Sequence, residues 1–109
     1  MHYIGKIDKD KIGEFGNQIV TENVILTDER KAHIYEKHSN DFELIINNLD
    51  KVVLNPSEVI EDVKSKNTIF MIDKIEKNNL NVIIKLNTTN SVKHPQNSVM
   101  TAWLIRDKN

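Results

Sequence analysis

The clearest periodicity along the chain is at Phe42, Ile45, Ile46 and Leu49, which fall at i, i+3, i+4 and i+7. That spacing predicts an amphipathic helix over about 41–50 with one face in the core. Asn40, with Glu43 three residues on, resembles a capping box at its start. A shorter helix is predicted over 28–38. Thr27 is its N-cap, Asp28 and Glu29 fill the first turn, and Lys37 and His38 the last, as the helix dipole prefers. Val24-Ile25-Leu26 precedes it as an apolar, largely β-branched short strand or extended lead-in. At Asn55-Pro56 the period changes, because the residue before proline avoids the α region. Four strands come next: Ser57 to Val63, Thr68 to Ile75, Leu80 to Thr88 and Ser98 to Arg106. In the third, Leu80, Val82, Ile84 and Leu86 alternate with Asn81, Ile83, Lys85 and Asn87. In the fourth, strict alternation puts Val99, Thr101, Trp103 and Ile105 on one face and Ser98, Met100, Ala102 and Leu104 on the other.

The first 23 residues carry less pattern. Tyr3 to Ile7 alternates weakly. Residues 9–23 are polar and hold Gly13 and Gly16, so 1–23 is expected to be a ragged extension. The expected fold is α+β, one domain over 1–109, with N-terminal helices packed on a four-stranded antiparallel sheet.

Composition narrows the chemistry. The chain has 109 residues, 39% hydrophobic and 28% charged, with a net charge of -1. A near-neutral total argues against a dedicated nucleic-acid binder, although a local basic patch can sit inside it. There is no cysteine, which removes disulfides, thiolate nucleophiles and Cys-based zinc sites. No apolar run approaches the ~18 residues of a membrane span, and the charged segment Met1 to Lys11 has no signal-peptide core. The expectation is a cytoplasmic protein with no membrane partner.

His33 and His38 are the residues best suited to proton transfer near neutral pH. They are five apart, which on a helix is roughly 500° of rotation and leaves the side chains about 140° apart. A zinc helix needs i, i+4, so a metal site on this helix is not expected. For both imidazoles to serve one substrate, the helix has to end before His38. Each candidate also has a plainer role. His38 suits a helix C-terminus as a dipole partner, and His33 a surface or satisfied core position. His2 is terminal and His94 lies beside Pro95. On the strands, Lys85 interrupts an apolar run or points to solvent. Thr101 serves a site or is an ordinary β-former. Ser98 serves a site or caps a loop, and Arg106 is solvated near the C-terminus. Glu61 and Asp62, adjacent on a strand, point to opposite faces. No Gly-rich phosphate loop is present.

Taken in order, Val24-Ile25-Leu26-Thr27-Asp28, His33-Ile34-x-x-Lys37-His38, Asp41-Phe42, Asn55-Pro56 and Asn97-Ser98-Val99-x-Thr101-x-Trp103 resemble the barnase–EndoU–colicin–RelE-like nucleases. The resemblance is nearest to their phage- and mobile-element-associated branch and runs from about Val24 to Ile105. It implies a metal-independent endoribonuclease without a cofactor, acting as a toxin or effector on RNA and met by an inhibitor or antitoxin protein. In such enzymes the 2′-hydroxyl of RNA attacks the adjacent phosphate. The resemblance carries His33, His38, Ser98 and Thr101 over as catalytic candidates. Lys85, by its odd place in an apolar strand, is the candidate phosphate contact, with Lys37 and Arg106 beside it. Lys64, Lys66, Lys85, Lys93 and Arg106 are the cations from which a local patch could form. The competing expectations are a non-catalytic RNA- or protein-binding member of the same fold and a small immunity or antitoxin-like module. Oligomeric state is not readable from the residues.

Overall fold

The computed structural model describes residues 1–89 and 96–106. In chain order these form β1 (His2–Lys6), β2 (Asn23–Leu26), α1 (Asp28–Lys37), α2 (Phe42–Leu54), β3 (Glu58–Glu61), β4 (Thr68–Ile75), β5 (Asn78–Lys85) and β6 (Asn97–Arg106). The class is α+β, with two α-helices and a mixed sheet of order β1-β2-β6-β5-β4-β3. The expectation of four antiparallel strands behind N-terminal helices is corrected. The sheet has six strands, since β1 and β2, the latter covering the predicted Val24–Leu26 segment, join the four, and β2 runs parallel to β6, while the other neighbouring pairs are antiparallel. A parallel pair needs a long crossover, so no local pattern announces it.

The N-terminal 23 residues are not a ragged extension. β1 pairs with β2, and Ile7, Ile12 and Ile19 are buried with the main core. The chain between them makes two short 3-10 turns, Lys9–Lys11 and Gly13–Asn17. Gly16 allows this packing, because a Cβ there would stand 2.4 Å from the Lys9 carbonyl oxygen. Polar composition hid three well-spaced isoleucines.

α1 starts as predicted, with the Thr27 hydroxyl accepting from the Arg30 backbone N–H at 3.2 Å. It ends at Lys37, one residue earlier than predicted. α2 is longer than predicted at its C-terminal end: Val52 and Val53 continue the stripe of Ile45 and Leu49, and all four are buried. The capping box of Asn40 and Glu43 does not form. A 3-10 turn over Ser39–Asp41 leads into α2, and Asp41 occupies the cap position without capping. Its carboxylate binds Arg106 at the end of β6 instead. β3 stops at Glu61, which leaves Val63 exposed.

One face of the sheet carries the core. Ile69, Met71 and Ile75 of β4, Leu80, Val82 and Ile84 of β5, and Val99 and Ala102 of β6 cluster there with Ile34 of α1 and Ile45, Leu49, Val52 and Val53 of α2. The facing of β6 differs from strict alternation. Its register against β5 shifts between Ile83 and Ile84, which pair with Thr101 and Val99. Met100 is the extra residue of this bulge, and a bulge flips the parity of the residues beyond it. Val99 therefore shares the core face with Ala102, not with Thr101 and Trp103.

Candidate functional site

The bulge gathers polar residues on the other face of the sheet. Lys85 stands directly opposite Ser98, and Thr68 is opposite Lys85 on its other side. The next rung on that face is Ile60, Phe70, Ile83 and Thr101. The one after it is Glu58, Ile72, Asn81 and Trp103. Without the extra residue at Met100, Ser98 and Thr101 would point to opposite faces. Phe70, Ile72, Ile83 and Trp103 are half-buried, while their strand neighbours in the core are almost fully covered. None of these four belongs to the core packing. The result is a partly apolar, partly aromatic sheet surface with a lysine and hydroxyls at one end.

Ser98 and Lys85 also line a groove of about 270 Å³ together with Asn67, Asn87, Thr88 and Gln96. Its walls are tied down by backbone and buried amide contacts. The fully buried Asn97 donates from Nδ2 to the carbonyls of Thr21 (2.9 Å) and Asn23 (3.0 Å), and its Oδ1 accepts from the Asn87 backbone N–H at 2.8 Å. The Leu86 N–H donates to the Asn67 carbonyl at 2.7 Å, and the Val20 N–H to the Asn87 carbonyl at 3.0 Å. Four chain segments, 20–23, 67, 86–87 and 97, are therefore tied together beside the groove.

His33 sits on α1, which packs beside β6, and His38 at its end. His33 is half-buried. Helical spacing puts Arg30, His33 and Lys37 on one flank of α1. Asp28, Lys31 and Tyr35 line a separate cavity with His2 and Phe42. There the rings of Tyr35 and Phe42 meet edge to face, centroids 5.1 Å apart. His38 is the C-cap, at φ -139° and ψ 46°, outside the helix. The 140° divergence expected for two helical residues therefore does not apply to it. Lys37 is exposed. His33, His38, Lys37 and Arg106 are not among the described lining of the Lys85–Ser98 groove. Thus Lys85, Ser98 and Thr101 are brought onto one face, Arg106 is engaged by Asp41, and the two histidines occupy α1, which packs on the opposite, core face, and its end.

Lys64 and Lys66 lie in the β3–β4 loop and line a larger cavity of about 800 Å³ with Lys11, Glu14, Glu61 and Asp62. Its cations and carboxylates balance, so it is not a basic patch. Strand alternation does not separate Glu61 from Asp62, because β3 ends at Glu61. Lys93 and His94 lie outside the described residues. Among the described residues, no three His, Cys, Asp or Glu side chains group in a way that could hold a metal ion. No helix among them is long and apolar enough to cross a membrane. Asp28 has a displaced pKa. The N-terminal ammonium, 3.4 Å away, lowers it by charge and hydrogen bonding, and His2 Nε2 at 2.8 Å adds to this.

Sequence reasoning missed Phe70 as a partner of Thr101 and Trp103, and missed Asn67 and Gln96 beside Lys85. No local pattern marks them, since each belongs to a segment whose place against β5 and β6 is set by the sheet. No family model, curated protein or solved structure matches this chain.

Proposed function

We propose that this chain is a metal-independent endoribonuclease whose RNA is held in part by the helix-free face of its sheet. The observation that carries the reading is the Lys85–Ser98 pair with Thr101 one rung away on the same face, on a strand that α1, which bears His33 and ends at His38, contacts from the core side. A lysine and hydroxyls are suited to the oxygens of a phosphodiester. Phe70 and Trp103 on the same face offer ring surfaces for unstacked bases.

In this reading one histidine of His33 and His38 removes the 2′-hydroxyl proton. The 2′-oxygen bonds to phosphorus, the bond from phosphorus to the 5′-oxygen breaks, and the other histidine protonates the departing 5′-oxygen. The products are a 2′,3′-cyclic phosphate and a 5′-hydroxyl. Lys85, Ser98 and Thr101, on the face of the sheet opposite α1, bind a neighbouring stretch of the RNA backbone. Lys37 is a peripheral cation, and Arg106 acts through its hold on Asp41. The reaction as written needs no metal or cofactor.

The test is incubation of total RNA with folded protein in EDTA, wild type against His33→Ala and His38→Ala. The reading expects cleavage that survives EDTA and is lost in at least one histidine variant. Folded protein that leaves RNA intact at every concentration overturns catalysis. A second reading, a binding member of the same fold that holds RNA or a protein without cutting it, is favoured by the charge balance of 15 cationic against 16 acidic residues. Phosphate binding draws on local cations, and a near-neutral chain suits a protein partner better than RNA. Retention of RNA on the protein without cleavage supports that second reading.

A further inference from the structure

The groove beside Lys85 differs from the two other cavities described, both of which are lined by carboxylates. Its described lining supplies one cation, the carboxamides of Asn67, Asn87 and Gln96, and the hydroxyls of Thr88, Thr89 and Ser98, with no carboxylate. On a chain with 16 acidic residues, an anion entering here meets Lys85 and no opposing charge in that lining. A carboxamide presents a donor and an acceptor on one planar group, which matches the edge of a nucleobase. Hydroxyls match phosphate and sugar oxygens. The rim is also set in advance. Asn87 is held through its N–H by Asn97 and through its carbonyl by Val20, and the Asn67 carbonyl is held by Leu86. Ordering costs on binding fall accordingly.

We propose that this groove is a nucleotide subsite in which Lys85 takes the phosphate and the carboxamides of Asn67 and Gln96 read the edge of one base. It would give the enzyme its base preference. The assignment rests on the ribonuclease reading for the source of the nucleotide, but binding itself needs no catalysis.

The experiment titrates the full ¹⁵N-labelled chain with inorganic phosphate and with each of the four nucleoside 3′-monophosphates, following amide shifts. The expected result is shifts centred on Asn67, Lys85, Thr88, Gln96 and Ser98, with one nucleotide held about tenfold or more tighter than phosphate. Gln96→Ala and Asn67→Gly should each reduce the spread between nucleotides. Glycine is chosen because Asn67 has φ 55°, which glycine adopts without strain. Lys85→Gln should weaken all five ligands, phosphate included. Four nucleotides that bind no tighter than phosphate, or shifts centred elsewhere, overturn the subsite. The two failures are separable. Cleavage of RNA without shifts at the groove overturns the subsite alone. Selective nucleotide binding without cleavage keeps the subsite and overturns the ribonuclease.

Discussion

Asn97 Oδ1 accepts a 2.8 Å hydrogen bond from the backbone N–H of Asn87. The same carboxamide donates to the carbonyls of Thr21 and Asn23. One fully buried side chain thus joins the entry to β2, the start of β6 and the segment leaving β5. Asn97→Ala leaves three backbone groups without that partner, and unsatisfied buried groups cost about 1–3 kcal/mol each when water cannot reach them. The expected loss is about 2–4 kcal/mol, allowing for partial rehydration. For a domain of this size that lowers Tm by roughly 10 °C or more. Urea and thermal unfolding measure it, and a loss under about 0.5 kcal/mol would mean the clasp is redundant.

Ile34 is the buried residue of α1. Ile34→Ala should cost about 2–5 kcal/mol, as for other large-to-small core changes. Because α1 has no second buried anchor, the effect should concentrate there. Hydrogen exchange at Ile34 to His38 should accelerate more than exchange in β4 and β5. Uniform acceleration across the sheet would show that α1 does not open separately.

Asp28 titrates below the ordinary aspartate value, because the N-terminal ammonium and then His2 favour its charged form. A carboxylate with a lowered folded pKa contributes stability above its unfolded value of about 4, and loses it as pH falls through the folded value. The group is fully exposed, so the contribution is small. Carboxyl-carbon NMR should show the lowered midpoint. Acetylation of the amino group should raise it further than His2→Ala does, since the ammonium is the larger cause. The opposite ranking would reassign the shift to His2.

Lys85 and Arg106 should separate in function. Arg106 is tied to Asp41 at the α2 entrance, so Arg106→Ala removes a surface ion pair of about 0.2–1 kcal/mol. RNA cleavage should change only a few-fold. Lys85→Ala removes a charge-assisted phosphate contact of about 1.5–3 kcal/mol, a drop on the order of tenfold or more in kcat/KM. Equal effects of the two variants would move the phosphate site away from the β5–β6 ladder.

Thr27→Ala should cost about 1 kcal/mol through loss of the cap to the Arg30 N–H. Thr27→Asn should restore most of it. Chemical denaturation of the three proteins tests the ranking.

Much of the architecture was legible because it rests on local periodicity. Thr27 capped α1 as its neighbours indicated, β4 spans Thr68–Ile75 as expected, and the Phe42 stripe marked α2. The misses have a common cause. The packed N-terminal segment depends on isoleucines that become a core only when α2 and the sheet lie over them. The histidine helix was legible as a helix, but nothing in its spacing says which element lies beside it.

By itself the sequence determined the helices, most of the strands and the residue types available for chemistry, because 3.6- and 2-residue periods are written in neighbouring side chains. Tertiary structure decided the parallel β2–β6 pair, the packing of residues 1–23 and the facing of Ser98 with Thr101. That last relationship turns on one extra residue at Met100. The bulge exists only against β5, since parity along a strand is set by its hydrogen-bonded partner.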